Sequence, residues 1–209
     1  MADRIRALFV EDDPDWQKGI QDYLSGHEDI ELYACVSTIE ECFANLSEHP
    51  TDIVIMDIIL NEYEASGLDA TLDITLQFPD IKVIMLSSLD SDDEIFNEAF
   101  LNGAYEYVYK YDFEQLPETM RGAIRNPTSK YGERLRKLVY DKKKSLLSHG
   151  DCELLRMILE GKTQTEIARE FHVSVAAVKK HVGRVLKKFQ WQESSRELAL
   201  KCKKWGILD

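Results

Sequence analysis

Charged and hydroxyl side chains close the most apolar runs in this chain. Glu11-Asp12-Asp13 follows Leu8-Phe9-Val10, and Asp57 follows Ile53-Val54-Ile55-Met56. A third run, at 83–86, ends in Ser87-Ser88, and a fourth, Tyr107-Val108-Tyr109, ends in Lys110. A single carboxylate at the end of a strand is explained as a helix or turn cap. Several on adjoining strands repel one another unless a hard divalent cation lies among them. Magnesium suits such a place, because it takes oxygen ligands and combines few carboxylates with phosphate and water. Acids, a hydroxyl and an ammonium on one rim form a set that can hold a phosphoryl group. An aspartate accepts it, magnesium templates and screens it, and hydroxyl and lysine bind its oxygens.

The elements that must position these residues are legible in the first 124 residues. Short apolar runs at 5–10, 30–36, 53–56, 81–86 and 105–109 alternate with helical spacing near 15–25, 39–47, 67–77, 92–102 and 114–124. Near-continuous Ile, Val, Leu and Met in the first, third and fourth runs predicts parallel strands buried on both faces. Alternation of strand and helix implies right-handed crossovers and a doubly wound α/β sheet. Five strands and five helices fit the flavodoxin-like order 2-1-3-4-5, whose ligands bind beyond the carboxyl ends of the strands. Adjacent first and third strands bring the acids onto that rim.

The strand pattern stops after residue 125. Asn126-Pro127-Thr128-Ser129 is a breaker cluster, and Tyr131, Leu135, Leu138 and Val139 recur at helical spacing. The reading is a domain over 1–125, a partly helical linker over 126–146 that ends in a solvated, mobile stretch around Lys142-Lys143-Lys144, and a second domain over 147–209. That second domain reads as four short helices. Gly161 ends the first, Thr163-Gln164-Thr165-Glu166 is a capping box for the second, and Ser174 caps a third with Val178, Val182, Val185, Leu186 and Phe189 on one stripe. A short helix, a tight turn and a longer helix make a helix-turn-helix.

Charge divides at the same place. Residues 1–124 hold 6 Lys+Arg against 28 Asp+Glu, and residues 125–209 hold 20 against 10, within a net charge of −12. A basic C-terminal part suits a polyanionic partner; an acidic N-terminal part does not. No apolar run approaches the ~20 residues of a membrane span, and the first residues do not form a signal peptide. The four cysteines, Cys35, Cys42, Cys152 and Cys202, show no zinc spacing and read as small buried thiols of a reducing cytosol. A cytoplasmic protein is expected.

Residues 3–124 resemble the response-regulator receiver family at Phe9-Val10-Glu11-Asp12-Asp13, Val54-Ile55-Met56-Asp57, Leu86-Ser87-Ser88, and Gly103-Ala104 leading to Tyr107-Val108-Tyr109-Lys110. The resemblance implies Asp57 as phospho-acceptor and a magnesium ion on Asp12, Asp57 and the carbonyl of Ile59, with Glu11 in support. It implies Ser87 and Lys110 as phosphoryl-binding groups and Tyr107 as the aromatic that changes position with Ser87. Two departures stand out. The proline usual after the acceptor is absent from Leu60-Asn61-Glu62-Tyr63, and the glycine usual eight residues beyond it is Gly67, ten beyond, which implies a two-residue insertion. Ile59 and Leu89, which the resemblance places beside the approach of water, are apolar, so a long-lived phosphoryl group is expected.

Residues 146–207 resemble the LuxR/NarL-type DNA-binding domain, at Leu147-Ser148, Glu153-Leu154-Leu155, Glu160-Gly161, Thr165-Glu166-Ile167-Ala168, Val173-Ser174, Val178-Lys179-Lys180-His181-Val182 and Leu186-Lys187-Lys188-Phe189. The third helix carries Lys179, Lys180, Gly183 and Lys187 opposite its valines, with Arg184 beside them. That is the pattern of a recognition helix, and the resemblance puts Lys179, Lys180 and Gly183 nearest the bases. Thr163, Thr165 and Ser174 are further DNA-contact candidates; His181 suits packing better than DNA contact. The resemblances together imply a non-enzymatic switch: a sensor histidine kinase as donor, double-stranded DNA as target and a homodimer when phosphorylated. The rivals are an aspartyl-phosphate hydrolase, against which Ile59 stands where a second aspartate is needed, and a DNA-binding regulator whose modified receiver binds partners without phosphorylation.

Overall fold

The computed structural model describes residues 4–60, 66–88, 93–129 and 131–208. The expectations placed on Asn61, Glu62, Tyr63 and Leu89 lie outside these residues. The chain divides into two compact units, residues 1–137 and 138–209.

The first unit is a five-stranded parallel sheet in the order 2-1-3-4-5. Its strands are β1 (Ile5–Val10), β2 (Ile30–Val36), β3 (Ile53–Asp57), β4 (Lys82–Ser87) and β5 (Glu106–Tyr109). Between them run α1 (Pro14–Leu24), α2 (Ile39–Glu48), α3 (Ser66–Gln77) and α4 (Asp93–Leu101), and α5 (Leu116–Arg125) follows. Strand side chains alternate faces. Leu8, Val10, Val54, Met56, Val83 and Met85 pack with α2, α3 and α4, while Phe9, Ile53, Ile55, Ile84 and Leu86 pack with Ile20 and Leu24 of α1 and Met120 of α5. A sheet covered on both faces needs apolar residues at every position, which is why the central strands show no polar alternation.

One expected helix differs. Helical spacing near 114–124 is in fact a 3-10 helix over Lys110–Gln115 followed by α5, with Pro117 in the first turn of α5. Proline favours a helix start because its missing N–H has no intrahelical partner there. The 3-10 segment turns Lys110 inward and sets Phe113 edge-on to Trp16 of α1, ring centroids 6.3 Å apart.

α6 (Gly132–Ser145) spans the division between the units. Lys142, Lys143 and Lys144, expected in a mobile stretch, form its last turn instead, and Lys143 Nζ lies 5.7 Å from the Phe189 ring centroid. Cations in a last turn are favoured by the helix dipole.

The second unit holds α7 (His149–Leu159), α8 (Gln164–Glu170), α9 (Val175–Lys188) and α10 (Ser195–Lys204). Reciprocal capping boxes open three of them: Ser148 with Asp151, Thr163 with Glu166 and Ser194 with Glu197. Ser174 caps α9 by accepting from the Ala177 N–H at 3.2 Å. Leu154, Leu155, Ile167, Val178, Val185, Leu198 and Trp205 are buried. His172, between α8 and α9, takes φ 55°, a left-handed turn that sharpens the helix-turn-helix corner. No helix among the described residues is long and apolar enough to cross a membrane.

Candidate functional site

Strand register assembles the pocket. β1 and β3 pair Val10 with Met56, so Glu11 and Asp57 emerge side by side. β3 and β4 pair Asp57 with Leu86, which brings Ser87 to the same rim, and β4 and β5 pair Ser87 with Tyr109, which puts Lys110 one step beyond. Glu11, Asp12, Asp13, Trp16, Asp57, Ile59, Ser87, Ser88 and Lys110 line an open cleft of about 480 Å³. Of the described residues expected here, Tyr107 alone stands back from the lining. Its ring is buried and packs on Phe96 and Tyr109, at centroid distances of 5.1 and 5.2 Å.

Lys110 Nζ is 2.6 Å from Glu11 Oε2 and 3.2 Å from Asp57 Oδ2. Asp57 Oδ1 accepts from the Ile58 N–H at 2.8 Å. Burial pushes the Asp57 carboxyl above its ordinary range, against the opposing pull of Lys110. Burial pushes Glu11 up to about 7, with Lys110 lowering it and the Asp57 charge raising it further. These carboxylates therefore carry unrelieved desolvation and mutual repulsion, the condition that a bound cation removes.

Among the described residues, three carboxylates offer oxygens that lie within 4.8 Å of one another: Glu11, Asp12 and Asp57. Glu11 Oε2 is buried, with the Lys110 ammonium 2.6 Å away as its ion-pair partner. An all-oxygen acidic set gathered this closely fits a hard divalent cation. Asp13 is used otherwise: its carboxylate caps α1, accepting from Asp15 N at 2.8 Å and Trp16 N at 3.4 Å. Gly67 is held hard against the Asp57 backbone, where an added Cβ would stand 1.9 Å from the Asp57 carbonyl oxygen. Only glycine fits there, which explains a glycine ten residues beyond Asp57 despite the longer loop.

On the second unit, Lys179, Lys180, Gly183, Arg184 and Lys187 are exposed on α9, while Val178 and Val185 are buried. Thr165 is exposed on α8, and the exposed Thr163 and Ser174 spend their hydroxyls as helix caps. His181 faces inward, with Nε2 2.6 Å from Asp151 Oδ1 and its ring stacked near Phe171.

Two residues were overlooked in the sequence. Trp16 lines the cleft, and its only advance sign was an aromatic three residues after the acidic triplet. Asp151 is the buried partner of both His181 and Lys188; the Ser148-x-x-Asp151 spacing of a capping box was its available signal. Cys42 and Cys202 are buried and pushed by burial up to about 12, far from a reactive thiolate, while Cys35 and Cys152 are only half-buried, short of the burial expected of all four.

Comparison with known proteins agrees with both units. Residues 7–121 match the family described as response regulator receiver domain, and residues 145–200 match bacterial regulatory proteins, luxR family. Response regulator protein VraR of Staphylococcus aureus is 30% identical over 198 residues, covering 92% of this chain and 93% of that protein. VraR of Staphylococcus epidermidis is 29% identical over the same span. Among solved structures, the RcsB–DNA complex aligns with TM-score 0.55 at 18% identity, over 95% of this chain and 98% of RcsB. The response regulator domain of Thermotoga maritima CheB aligns with TM-score 0.53 at 25% identity, over 59% of this chain and 98% of that domain. With a receiver fold ahead of a LuxR-type helix-turn-helix, and a relative at 30% identity along nearly its whole length, the chain belongs to the two-component response regulators of the NarL/LuxR type.

Proposed function

We propose that Asp57 accepts a phosphoryl group from a sensor histidine kinase with magnesium bound, and that this event controls how the C-terminal domain binds double-stranded DNA. The observation that carries the reading is the convergence of Asp57, Glu11, Asp12, Ser87 and Lys110 on one cleft. The domains are a receiver over 1–125, a linker over 126–146 and a DNA-binding domain over 147–209. The role is regulatory rather than enzymatic.

Glu11, Asp12, Asp57 and the Ile59 carbonyl would hold the cation, which supplies charge screening and a template for the phosphoryl oxygens. An Asp57 oxygen forms the new bond to phosphorus as the donor's histidine nitrogen leaves. Lys110 and Ser87 bind the oxygens of the transferred group. Added charge draws Ser87 inward, and Tyr107 repacks beside it. The response is a homodimer that sets two recognition helices on two half-sites. Lys179, Lys180, Gly183, Arg184 and Lys187 face the groove, with Thr163, Thr165 and Ser174 at the helix starts beside the DNA; the protein works in the cytoplasm.

Intact-mass measurement after acetyl phosphate and magnesium tests this. A stable phosphoryl adduct, lost in Asp57→Ala, is expected. Rapid turnover of the donor without an adduct would favour a hydrolase, and no reaction at all would favour a partner-binding receiver.

A further inference from the structure

Lys110 has a third neighbour besides its two carboxylates. Its ammonium lies 5.0 Å from the centroid of the Trp16 ring. Phe113 meets the ring edge-on, and the backbone N–H of Trp16, donated to the Asp13 carboxylate at 3.4 Å, ties this residue's main chain to the turn that supplies Glu11 and Asp12. A second hollow, of about 310 Å³ and lined by Asp13, Asp15, Gly19, Ile20 and Phe113, also has Trp16 in its wall. The indole thus separates the acidic cleft from an apolar one.

We infer that Trp16 is a positioning residue for Lys110: its π face holds the ammonium at the cleft while leaving it available to an incoming phosphoryl group. This rests on the phospho-acceptor reading above. The physical basis is a difference between partners. Glu11 and Asp57, when ionised, are anions that compete with a phosphoryl group for the ammonium. The ring attracts the ammonium through its quadrupole but carries no net charge. It therefore restrains Lys110 without repelling a phosphate dianion, and without adding a third negative charge to a buried set. When acetyl phosphate is the donor, the Asp57 oxygen–phosphorus bond forms as the phosphorus–oxygen bond to acetate breaks. Lys110 must then be within reach of the phosphoryl oxygens, and Trp16 supplies that placement.

The test uses the full chain with its tryptophans replaced by mono-, di- and trifluorinated analogues, which weaken the π face stepwise at nearly constant shape. Two readouts are taken: the rate of Asp57 phosphorylation by acetyl phosphate with magnesium, and beryllofluoride affinity from amide NMR shifts. Both should fall in steps, and Trp16→Leu should lower them by between about 2- and 30-fold, the range of a cation–π contact. Trp16→Phe should fall between wild type and Trp16→Leu. A Trp16→Phe chain carrying the same labels at Trp191 and Trp205 should show no steps. If wild type is phosphorylated normally but fluorination and Trp16→Leu change neither readout, the positioning role is wrong and the phospho-acceptor reading stands. If wild type takes up neither phosphoryl group nor beryllofluoride, both are overturned.

Discussion

Asp151, in the first turn of α7, and His181, in the middle of α9, meet at 2.6 Å, and the same buried carboxylate receives Lys188 at 2.6 Å and the Ser148 N–H at 2.9 Å. One side chain thus joins the start of α7 to two turns of α9. Lys188 also donates to the Leu146 carbonyl at 2.7 Å, which adds the end of the preceding segment to the cluster.

This cluster predicts an acid limit for the C-terminal domain. Burial alone would raise the Asp151 carboxyl, but the hydrogen bonds from Lys188, Ser148 and His181 outweigh it and hold the group far below 3.8. The unfolded chain takes up this proton first, so the contribution is complete above about pH 4 and is lost as pH falls through the depressed folded value. Asp151→Asn should destabilise the domain by about 1.5–3 kcal/mol, the scale of hydrogen bonds to charged groups. It should also remove that part of the acid dependence. Urea unfolding at pH 3 and pH 6, followed by helical circular dichroism, checks both. Equal losses at the two pH values would contradict the assignment.

Glu11 predicts a dependence of opposite sense in the receiver. The folded chain keeps this proton up to about 7, whereas the ordinary carboxyl value is 4.5. Folding therefore takes up a proton between those values, and stability falls as pH rises through that window. Glu11→Gln should leave stability little changed at pH 5 and raise it at pH 8, measured by denaturant unfolding without divalent cations. A variant equally destabilised at both would show that the Lys110 pair dominates.

On α9, Lys179→Ala and Lys180→Ala should each weaken DNA binding. A phosphate contact, once removed, weakens all sequences alike and flattens the salt dependence by about one ion, whereas a base contact costs discrimination. Salt titrations on specific and random duplexes separate the two. Unchanged affinity in the double variant would remove α9 from the groove.

Gly183 is a sharper probe of the same surface. An added Cβ there meets nothing within 4 Å. Glycine in a helix interior is roughly 0.8–1 kcal/mol worse than alanine, so Gly183→Ala should stabilise the domain by about that amount. If DNA affinity falls while stability rises, the glycine serves close approach to DNA. Unchanged affinity would leave it without a role at the groove.

The lifetime of the phosphoryl group should depend on Ile59. Its half-buried side chain lines the cleft and cannot hydrogen-bond an attacking water. Ile59→Asn should speed loss of phosphate, since a positioned water reacts much faster than a disordered one. Following phosphoryl loss by intact mass tests this; an unaltered rate, with wild type decaying in seconds, would exclude apolar shielding.

Most of the fold was readable because parallel strands buried on both faces write themselves as unbroken apolar runs, and because Thr163, Ser174 and Gly161 are visible helix boundaries. The cleft was readable for the same reason: register carries strand-end residues such as Asp57, Ser87 and Lys110 to one rim. What escaped depended on tertiary contact. Trp16 looked like any apolar position of α1 until the 3-10 segment brought Phe113 and Lys110 to its ring. Asp151 looked like a surface acid at a helix start until α9 packed across it.

The strand order also governs how the chain is made. β1 lies between β2 and β3 and pairs with residues up to 46 positions away, such as Arg6 with Asp52. Its neighbour β3 waits in turn for β4, and β4 for β5 at Glu106–Tyr109. Non-local pairing of this kind folds slowly, whereas the capped helices of the second unit depend mainly on local bonds. During synthesis, therefore, Leu8-Phe9-Val10 stays without its full set of partners until more than a hundred residues have emerged. The acidic N-terminal unit is the stage at which a growing chain is open to aggregation and to chaperones.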